Sequence, residues 1–228
     1  MNENPNYWRE VDPPMSFIPE GWTYEQKRAL RYQHLDYWHR WAQSERFAGK
    51  KVLCVGDGGG IDALEFARGG AHRVYVVDMS AKAIGLVGKH TYEAVDAKLI
   101  NGHSIVAMTG DACALNLPDG LFDAVYSFGV IHHIPEVEKA VSEIVRVLKP
   151  GGVFLGMVYN KDSLLYAYSI LLRAQKEGIT AGEAMRLYSE RNPGCPHSIA
   201  YSRGELQALL SPHFAVSGVS AAYSVIDF

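Results

Sequence analysis

A glycine-rich loop and three aspartates that follow predicted strands carry the clearest chemical signal in this sequence. The loop spans residues 56–60 and contains Asp57, while Asp78 and Asp111 end the next two predicted strands. Glycines let backbone amides approach a ligand, because no Cβ atom stands in the way. A carboxylate at Asp78 can accept hydrogen bonds from both hydroxyls of a ribose, and Asp111 can accept one from an adenine amine. The pattern predicts a nucleoside cofactor site.

The spacing of the glycines separates two kinds of nucleoside cofactor. A dinucleotide loop has the pattern G-x-G-x-x-G, but the sixth position counted from Gly56 is Ile61, and the observed pattern is G-x-G-x-G. This spacing disfavours a dehydrogenase. Each aspartate also has a structural interpretation, as the cap of the element that follows it. Ser80 can cap the helix after Asp78, which favours a ligand role for Asp78, whereas a turn role for Asp111 stays open.

The elements that must position these residues alternate between strand and helix. Alternation of this kind predicts an α/β fold with a mostly parallel sheet and helices on both faces. In such a sheet, ligands bind beyond the carboxyl ends of the strands, where the strand order reverses. The expected strands are 51–55, 73–77, 104–109, 122–127 and 152–158, and the expected helices between them are 61–68, 80–89 and 136–148.

Residues 1–49 differ in composition from the rest and are expected to form an aromatic arm and a helix. All four tryptophans, Trp8, Trp22, Trp38 and Trp41, lie there. The arm should be irregular over residues 1–22, and a capping box formed by Thr23 and Gln26 should start a helix that runs to about Phe47. The aromatic rings either pack this helix onto the sheet or form a lid over a planar or cationic acceptor. Removal of residues 1–40 is expected to leave cofactor affinity but no activity.

Composition restricts the class of protein and its partners. The chain has 228 residues and a net charge of −3, with a pI near 6.3, which gives no electrostatic signature of nucleic-acid binding. No apolar run reaches the roughly 20 residues of a membrane span. Cys54, Cys113 and Cys195 are far apart in sequence, which favours reduced thiols in the cytoplasm over a disulfide or a metal site. The oligomeric state is not determined by the sequence.

Six ordered segments together resemble class I S-adenosylmethionine-dependent methyltransferases. The resemblance covers roughly residues 50–160 and is strongest to the small-molecule branch, methyltransferase type 11, that includes ubiquinone- and menaquinone-biosynthesis-like enzymes. It implies a Rossmann-like domain over residues 50–228, with S-adenosyl-L-methionine as cofactor. The segments are residues 52–60, 77–80, 110–112, 122–127, 130–134 and 146–152.

The resemblance assigns a role to each cofactor-binding residue. The loop of Gly56, Asp57, Gly58 and Gly60 would hold the methionine part of the cofactor. Asp78 would bind the ribose and Met79 would lie against adenine. Asp111 and Ala112 would flank the adenine, and Phe128 with Gly129 would line the pocket near the sulfonium. Two positions depart from the family pattern: Cys54 stands where many members have an acid, and Asp57 stands where a small residue or cysteine is common.

The acceptor side is expected between the N-terminal arm and an insertion at residues 160–201. The insertion should be helical at 162–177 and 181–190, before a helix at 203–210 and a strand near 214–221. His133 is the candidate base, because histidine titrates near neutral pH. Its neighbour His132 is a weaker candidate, since a ring here commonly supports the loop or the cofactor in this branch. Tyr159, His197 and Tyr201 are expected to contact the acceptor.

The resemblance implies methyl transfer to a small molecule, at oxygen or nitrogen, in secondary metabolism. Nucleic-acid or protein methylation is the second hypothesis, although residues 127–130 lack the Asn/Asp-Pro-Pro-Tyr type of segment that accompanies methylation of base amines. A protein that binds the cofactor without methylating, or a cyclase, is the third. The usual final hairpin of the sheet would be short here, because about 15 residues follow His213.

Overall fold

The computed structural model describes residues 6–13, 21–35, 37–189, 195–216 and 218. Within them, five parallel strands form one sheet in the order β3-β2-β1-β4-β5. Val52 in β1 pairs with Val74 on one side and Ala124 on the other, so the strand order reverses between β1 and β4. The predicted α/β fold is confirmed. The strands are β1 (Lys51–Val55), β2 (Arg73–Asp78), β3 (Ile105–Thr109), β4 (Phe122–Phe128) and β5 (Leu148–Met157).

Helices cover both faces of the sheet, as the alternation of elements predicted. One face carries a core that includes Val52, Val74 and Tyr126 of the sheet together with Leu64 and Phe66. The other face packs Leu53 and Val125 against an amphipathic helix. The helices are α1 (Tyr7–Glu10), α2 (Tyr24–His34), α3 (Trp38–Ala42), α4 (Ile61–Arg68), α5 (Ala81–Asp96), α6 (Val137–Val147), α7 (Leu172–Glu177), α8 (Ala181–Tyr188) and α9 (Arg203–Leu210).

The N-terminal segment differs from its prediction in one respect. The capping box is confirmed: the Thr23 backbone N–H donates to Gln26 Oε1 at 2.9 Å. The single helix to Phe47 is wrong, because α2 ends at His34 and α3 and a 3-10 turn at Ser44–Phe47 follow. Tertiary packing explains the break. With the helix ended at His34, Trp38 is fully buried and donates from Nε1 to the Tyr126 hydroxyl at 2.7 Å.

The N-terminal arm, the ends of two elements and the final predicted strand also differ from the sequence predictions. The arm contains the short helix α1 over Tyr7–Glu10, where no regular structure was expected. Helix α5 continues to Asp96 instead of ending near 89, and β5 begins at Leu148 instead of 152. Residues 214–216 are not part of a strand, and the rest of the predicted strand at 214–221, except residue 218, lies outside the described residues.

The insertion after β5 forms its own small layer. It opens with a π-helix at Tyr166–Leu171 that continues into α7, and α8 follows. Side chains from these helices and from Ala200 form a separate apolar cluster. The outer surface of the π-helix and α7 exposes Leu164, Leu165, Tyr168, Leu171 and Leu172. Among the described helices, none is long and apolar enough to cross a membrane.

Candidate active site

All of the predicted cofactor residues lie at the carboxyl ends of four strands. The loop of residues 56–60 follows β1, Asp78 ends β2, and Asp111 comes two residues after β3. Phe128 ends β4 and Gly129 follows it. Because β3, β2, β1 and β4 are consecutive in the sheet, these segments meet at one edge. This edge lies beside the reversal of strand order, where parallel sheets bind ligands.

The glycine loop requires glycine at its two ends. Gly56 has φ +71°, and a Cβ atom there would come within 2.5 Å of Val130. Gly60 has φ +82° and is the N-cap of α4; a Cβ atom there would approach Val87 at 3.1 Å. Side chains at these positions would therefore be strained and would clash. Without side chains at these positions, the loop backbone stays close to the sheet edge and its amides can approach a nucleoside cofactor there.

Asp78 holds the glycine loop in place. Its carboxylate accepts the Gly58 backbone N–H at 3.1 Å and the Ser80 backbone N–H at 2.9 Å. A carboxylate has about four acceptor sites, so these two bonds leave capacity for hydroxyl donors such as those of a ribose. Burial raises the pKa of Asp78, and the two backbone hydrogen bonds oppose this shift.

The other two acids of the motif make local bonds. Asp57 accepts the Ala63 backbone N–H at 3.0 Å and so satisfies a donor in the first turn of α4. Burial and the nearby Asp62 raise the pKa of Asp57 well above its ordinary value. Asp111 is exposed and accepts the Cys113 N–H at 2.8 Å. This contact is the turn role that the sequence left open for Asp111. A ligand role for its other carboxylate oxygen stays a prediction.

Two buried ion pairs join the N-terminal helix α2 to α4, which sequence reasoning missed. Arg31 forms a two-pronged pair with Asp62, whose side chain is fully buried. Arg28 pairs with Glu65 through Nε at 2.6 Å and Nη2 at 2.8 Å. The available signal was two acids three residues apart on a helix whose other side chains, apart from Arg68 at its end, are apolar. Desolvated charges of this kind need close partners, which are supplied here by α2.

A third polar contact connects α2 to the cofactor loop itself. Lys27 Nζ lies 3.0 Å from Nε2 of His90 on α5, and Nδ1 of the same ring lies 2.6 Å from the Gly59 carbonyl oxygen. A carbonyl only accepts and an ammonium only donates, so the proton must be on Nδ1 and His90 must be neutral. Burial lowers the pKa of His90, which agrees with a neutral ring. Neither residue was predicted to matter.

Two of the predicted acceptor residues, His133 and Tyr159, lie in a cluster of rings beyond β4 and β5. The centre of the Trp8 ring lies 4.6 Å from that of His133, which lies 4.1 Å from that of His132. The ring of Tyr159 lies 4.1 Å from that of His132 and 5.9 Å from that of His133. The arm and the residues after β4 and β5 thus come together, as the sequence predicted. An aromatic residue of the arm reaches the candidate base.

His132 and His133 differ in their hydrogen bonding. His132 is fully buried, and neither of its ring nitrogens has a partner among the described residues. Burial, followed by the neighbouring His133 and His197, lowers its pKa well below the ordinary value. His133 Nδ1 lies 3.1 Å from the carbonyl oxygen of His197. Because that oxygen only accepts, the bond places the proton of a neutral His133 on Nδ1 and its lone pair on Nε2.

The segment 195–201 supports these rings with its backbone. Ile199 N–H donates to the His132 carbonyl at 3.1 Å, and Tyr201 N–H donates to the Tyr159 carbonyl at 2.8 Å. The carbonyl oxygen of His197 accepts from the His133 ring and from Cys195 Sγ, which lies at 3.1 Å. An acceptor contact of the His197 side chain stays a prediction. Among the described residues, no group of three or more His, Cys, Asp or Glu side chains could hold a metal ion.

The fold and the loop define a nucleoside-binding α/β domain, and comparison with known proteins identifies its family. Residues 53–156 match the family model described as "Methyltransferase domain". Ubiquinone biosynthesis O-methyltransferase from Thiobacillus denitrificans is 32% identical over 136 residues, which are 58% of this chain and 54% of that protein. Over residues 53–156 the chain therefore matches a methyltransferase domain, and the resemblance that the sequence motifs indicated is confirmed.

Other relatives act on chemically different acceptors. A fatty-acid O-methyltransferase from Mycolicibacterium smegmatis is 33% identical over 154 residues, 66% of this chain and 50% of that protein. A sterol 24-C-methyltransferase from Eremothecium gossypii is 39% identical over 107 residues, 47% of this chain and 27% of that protein. The chain spans about half the length of the first relatives it matches. The shared domain thus identifies the cofactor class, and the acceptor has to be argued from this chain.

Solved structures agree with the fold. The YcgJ protein from Bacillus subtilis superposes with a TM-score of 0.55 at 23% identity, over 77% of this chain and 67% of that one. A SAM-dependent methyltransferase from Aquifex aeolicus gives a TM-score of 0.56 at 16% identity, over 83% and 85% of the two chains. Similarity at these identities supports the architecture alone.

Proposed function

We propose that this protein transfers the methyl group of S-adenosylmethionine to an oxygen or nitrogen of a small-molecule acceptor. The observation that carries the proposal is the Asp78 carboxylate, which holds the glycine loop through Gly58 and keeps acceptor capacity at the edge of the sheet where ligands bind. The family match and the named relatives support a methyltransferase activity. The substrate is inferred from the chain's own geometry.

The cofactor supplies a methyl group already activated on a sulfonium, so the protein's main tasks are to align the acceptor and exclude water. The loop of residues 56–60 would hold the methionine part, and Asp78 would accept from the ribose hydroxyls. Met79, Asp111 and Ala112 would border the adenine. Phe128 and Gly129, at the end of β4, would lie near the reacting centre.

His133 is the proposed base for an acceptor that must lose a proton. Its Nδ1 bond to the His197 carbonyl fixes the ring, and the lone pair on Nε2 is in the form that can take a proton. Trp8 and Tyr159 flank the ring pair and would contact the acceptor. The neutral, fully buried His132 lies between His133 and Tyr159 and would orient them.

The proposal includes the kind of molecule that is methylated and the cellular compartment of the protein. The acidic balance of the chain, with a net charge of −3, supports a small molecule over a nucleic acid. The three free cysteines support a reducing, cytoplasmic location. Methylation of a protein or nucleic acid, and cofactor binding without methyl transfer, remain the competing functions. Formation of S-adenosylhomocysteine together with a methylated small molecule would separate the proposal from both.

The decisive experiment measures binding of S-adenosylmethionine by calorimetry. Asp78→Ala should weaken binding by at least about tenfold, because a charge-assisted hydrogen bond contributes about 1.5–3 kcal/mol. Asp96→Ala is the matched control: it removes an exposed acid from the far end of α5 and should leave affinity unchanged. Equal affinities of Asp78→Ala and the unmodified protein would refute the assignment of Asp78.

A further inference from the structure

A cavity of about 410 Å³ lies beneath the insertion, between the π-helix, α8 and the segment 198–201. Its size is within the range of small-molecule sites in proteins. Its walls include Tyr166, Met185, Ile199 and Ala200, of which Met185 and Ala200 are 3% and 4% exposed. A π-helical turn is rare and often occurs at a functional site, and here it provides Tyr166.

The cavity lining is mostly apolar, and its charged side chains neutralise each other. The two charged residues among the lining, Lys161 and Glu205, pair with each other at 2.6 Å. Ser198 shares a hydrogen bond of 2.9 Å with Ser189. A charged ligand would therefore find no unpaired opposite charge among the described lining residues. Its charged group would lose its water without a compensating partner, which costs free energy.

One polar group of the lining lacks a partner. The hydroxyl oxygen of Tyr201 is buried and has no hydrogen bond within the described part of the chain. Burial raises the pKa of Tyr201 to about 12, so the hydroxyl stays protonated near neutral pH. Buried polar groups are nearly always hydrogen-bonded. A ligand with one hydrogen-bonding group would satisfy this hydroxyl.

The cavity adjoins the candidate active site. Ile199 and Tyr201 line the cavity, while their backbone N–H groups donate to the carbonyls of His132 and Tyr159. The segment 198–201 therefore contributes both to the cavity lining and to the backbone support of His132 and Tyr159. The cavity and the cluster of rings lie beyond the carboxyl ends of β4 and β5, at the same edge as the glycine loop.

We infer that this cavity binds the methyl acceptor, and that the acceptor is a neutral molecule with an apolar body and a single hydrogen-bonding group held by Tyr201. This inference rests on the proposed function and names the substrate class of its site. The glycine at position 182 makes the inference testable. Gly182 lines the cavity, and a Cβ atom there would meet only Thr180 Oγ1, at 4.0 Å.

The experiment compares binding of 4-butylphenol and butylbenzene by calorimetry, with and without S-adenosylhomocysteine. Gly182→Leu should fill the cavity and weaken both probes by at least about tenfold. Gly204→Leu is the matched control, because Gly204 is likewise the second residue of a capped helix and has open space around it. It should leave both affinities unchanged. Thermal unfolding of each variant checks that it is folded.

Tyr201→Phe tests the polar contact separately. It should weaken 4-butylphenol by about three- to tenfold, the effect of one hydrogen bond, and leave butylbenzene unchanged. The inference is overturned if neither probe binds, if the two leucine variants behave alike, or if Tyr201→Phe affects both probes equally. Failure of the proposed function has a different signature: S-adenosylhomocysteine does not bind, while the probe measurements without it still report on the cavity.

Discussion

His90 Nδ1–H donates to the carbonyl oxygen of Gly59 at 2.6 Å, which ties a buried histidine of α5 to the middle of the cofactor loop. The other nitrogen of the ring accepts from Lys27 on α2. The position of the loop therefore depends on a helix that precedes the methyltransferase domain in sequence. This relationship, like the two ion pairs beside it, makes the N-terminal segment part of the support of the cofactor site.

His90→Leu should weaken S-adenosylhomocysteine binding by about tenfold, because it leaves the Gly59 carbonyl and the Lys27 ammonium without their partner, at about 1–3 kcal/mol. His90→Asn keeps an amide donor for the carbonyl and should recover part of the affinity. His103→Leu, which alters an exposed histidine, is the control. Calorimetry gives the three affinities. Indistinguishable values for the leucine and asparagine variants would argue against a positioning role.

Asp62→Asn should lower the free energy of unfolding by about 3 kcal/mol, because it leaves the Arg31 guanidinium uncompensated in a buried site. Asp119→Asn is the control, since Asp119 pairs with Arg146 at the surface with 79% of its side chain exposed. Its effect should stay within about 0.5 kcal/mol. Urea unfolding of both variants gives the comparison, and similar losses would show that burial of the Asp62 pair does not determine its strength.

Asp57→Asn should stabilise the cofactor-free protein at pH 7.5 by about 1 kcal/mol, the usual scale of a single substitution. The folded-state pKa of Asp57 is raised by burial and by Asp62, so the folded protein binds a proton more readily than the unfolded chain. The unmodified protein therefore gains stability from this group as the pH falls through the raised value. The urea midpoints of the two proteins should converge as the pH falls, and a difference that does not change with pH would contradict the raised pKa.

Two deletions separate the roles of the N-terminal segment. Removal of residues 1–40 takes away Arg31 and Arg28, which pair with Asp62 and Glu65, while Glu65 keeps the longer contact with Arg68 at 3.4 Å. We therefore expect an unstable protein and loss of the cofactor affinity that the sequence alone suggested would remain. Removal of residues 1–13 deletes Trp8, which contacts His133, and spares the ion pairs. It should keep S-adenosylhomocysteine affinity within about twofold while turnover falls. Unfolding midpoints, calorimetry and product formation measure these effects. A stable, cofactor-binding 1–40 deletion would contradict the structural role of α2.

The sheet was predictable because its information is local. Apolar runs ending in glycine or aspartate define β1 and β2, and their alternation with helices allows few topologies. The bonds of Asp78 to Gly58 and Ser80 use residues within the motif itself. Spacing alone was therefore sufficient to predict that these residues lie at one edge of the sheet.

The remaining features depend on contacts between distant parts of the chain. The end of α2 at His34 follows from burial of Trp38 against Tyr126, 88 positions further along. The partners of Asp62 and Glu65 lie 31 and 37 residues earlier in the sequence. No periodicity encodes such pairings. The cavity beneath the insertion likewise requires the approach of Tyr166, Met185 and Tyr201, which only the folded chain brings together.

The polar contacts of α2 also constrain the order in which the protein can assemble. An isolated helix of 11 residues is marginal in water, and the contacts of Lys27, Arg28 and Arg31 span 63, 37 and 31 positions. On a ribosome, α2 therefore emerges before any of its partners exists. It can dock only when β1 and α4 have formed, and its contact with His90 must wait for α5. Helix α2 precedes α4 and α5 in the chain but reaches its final position only after both have formed.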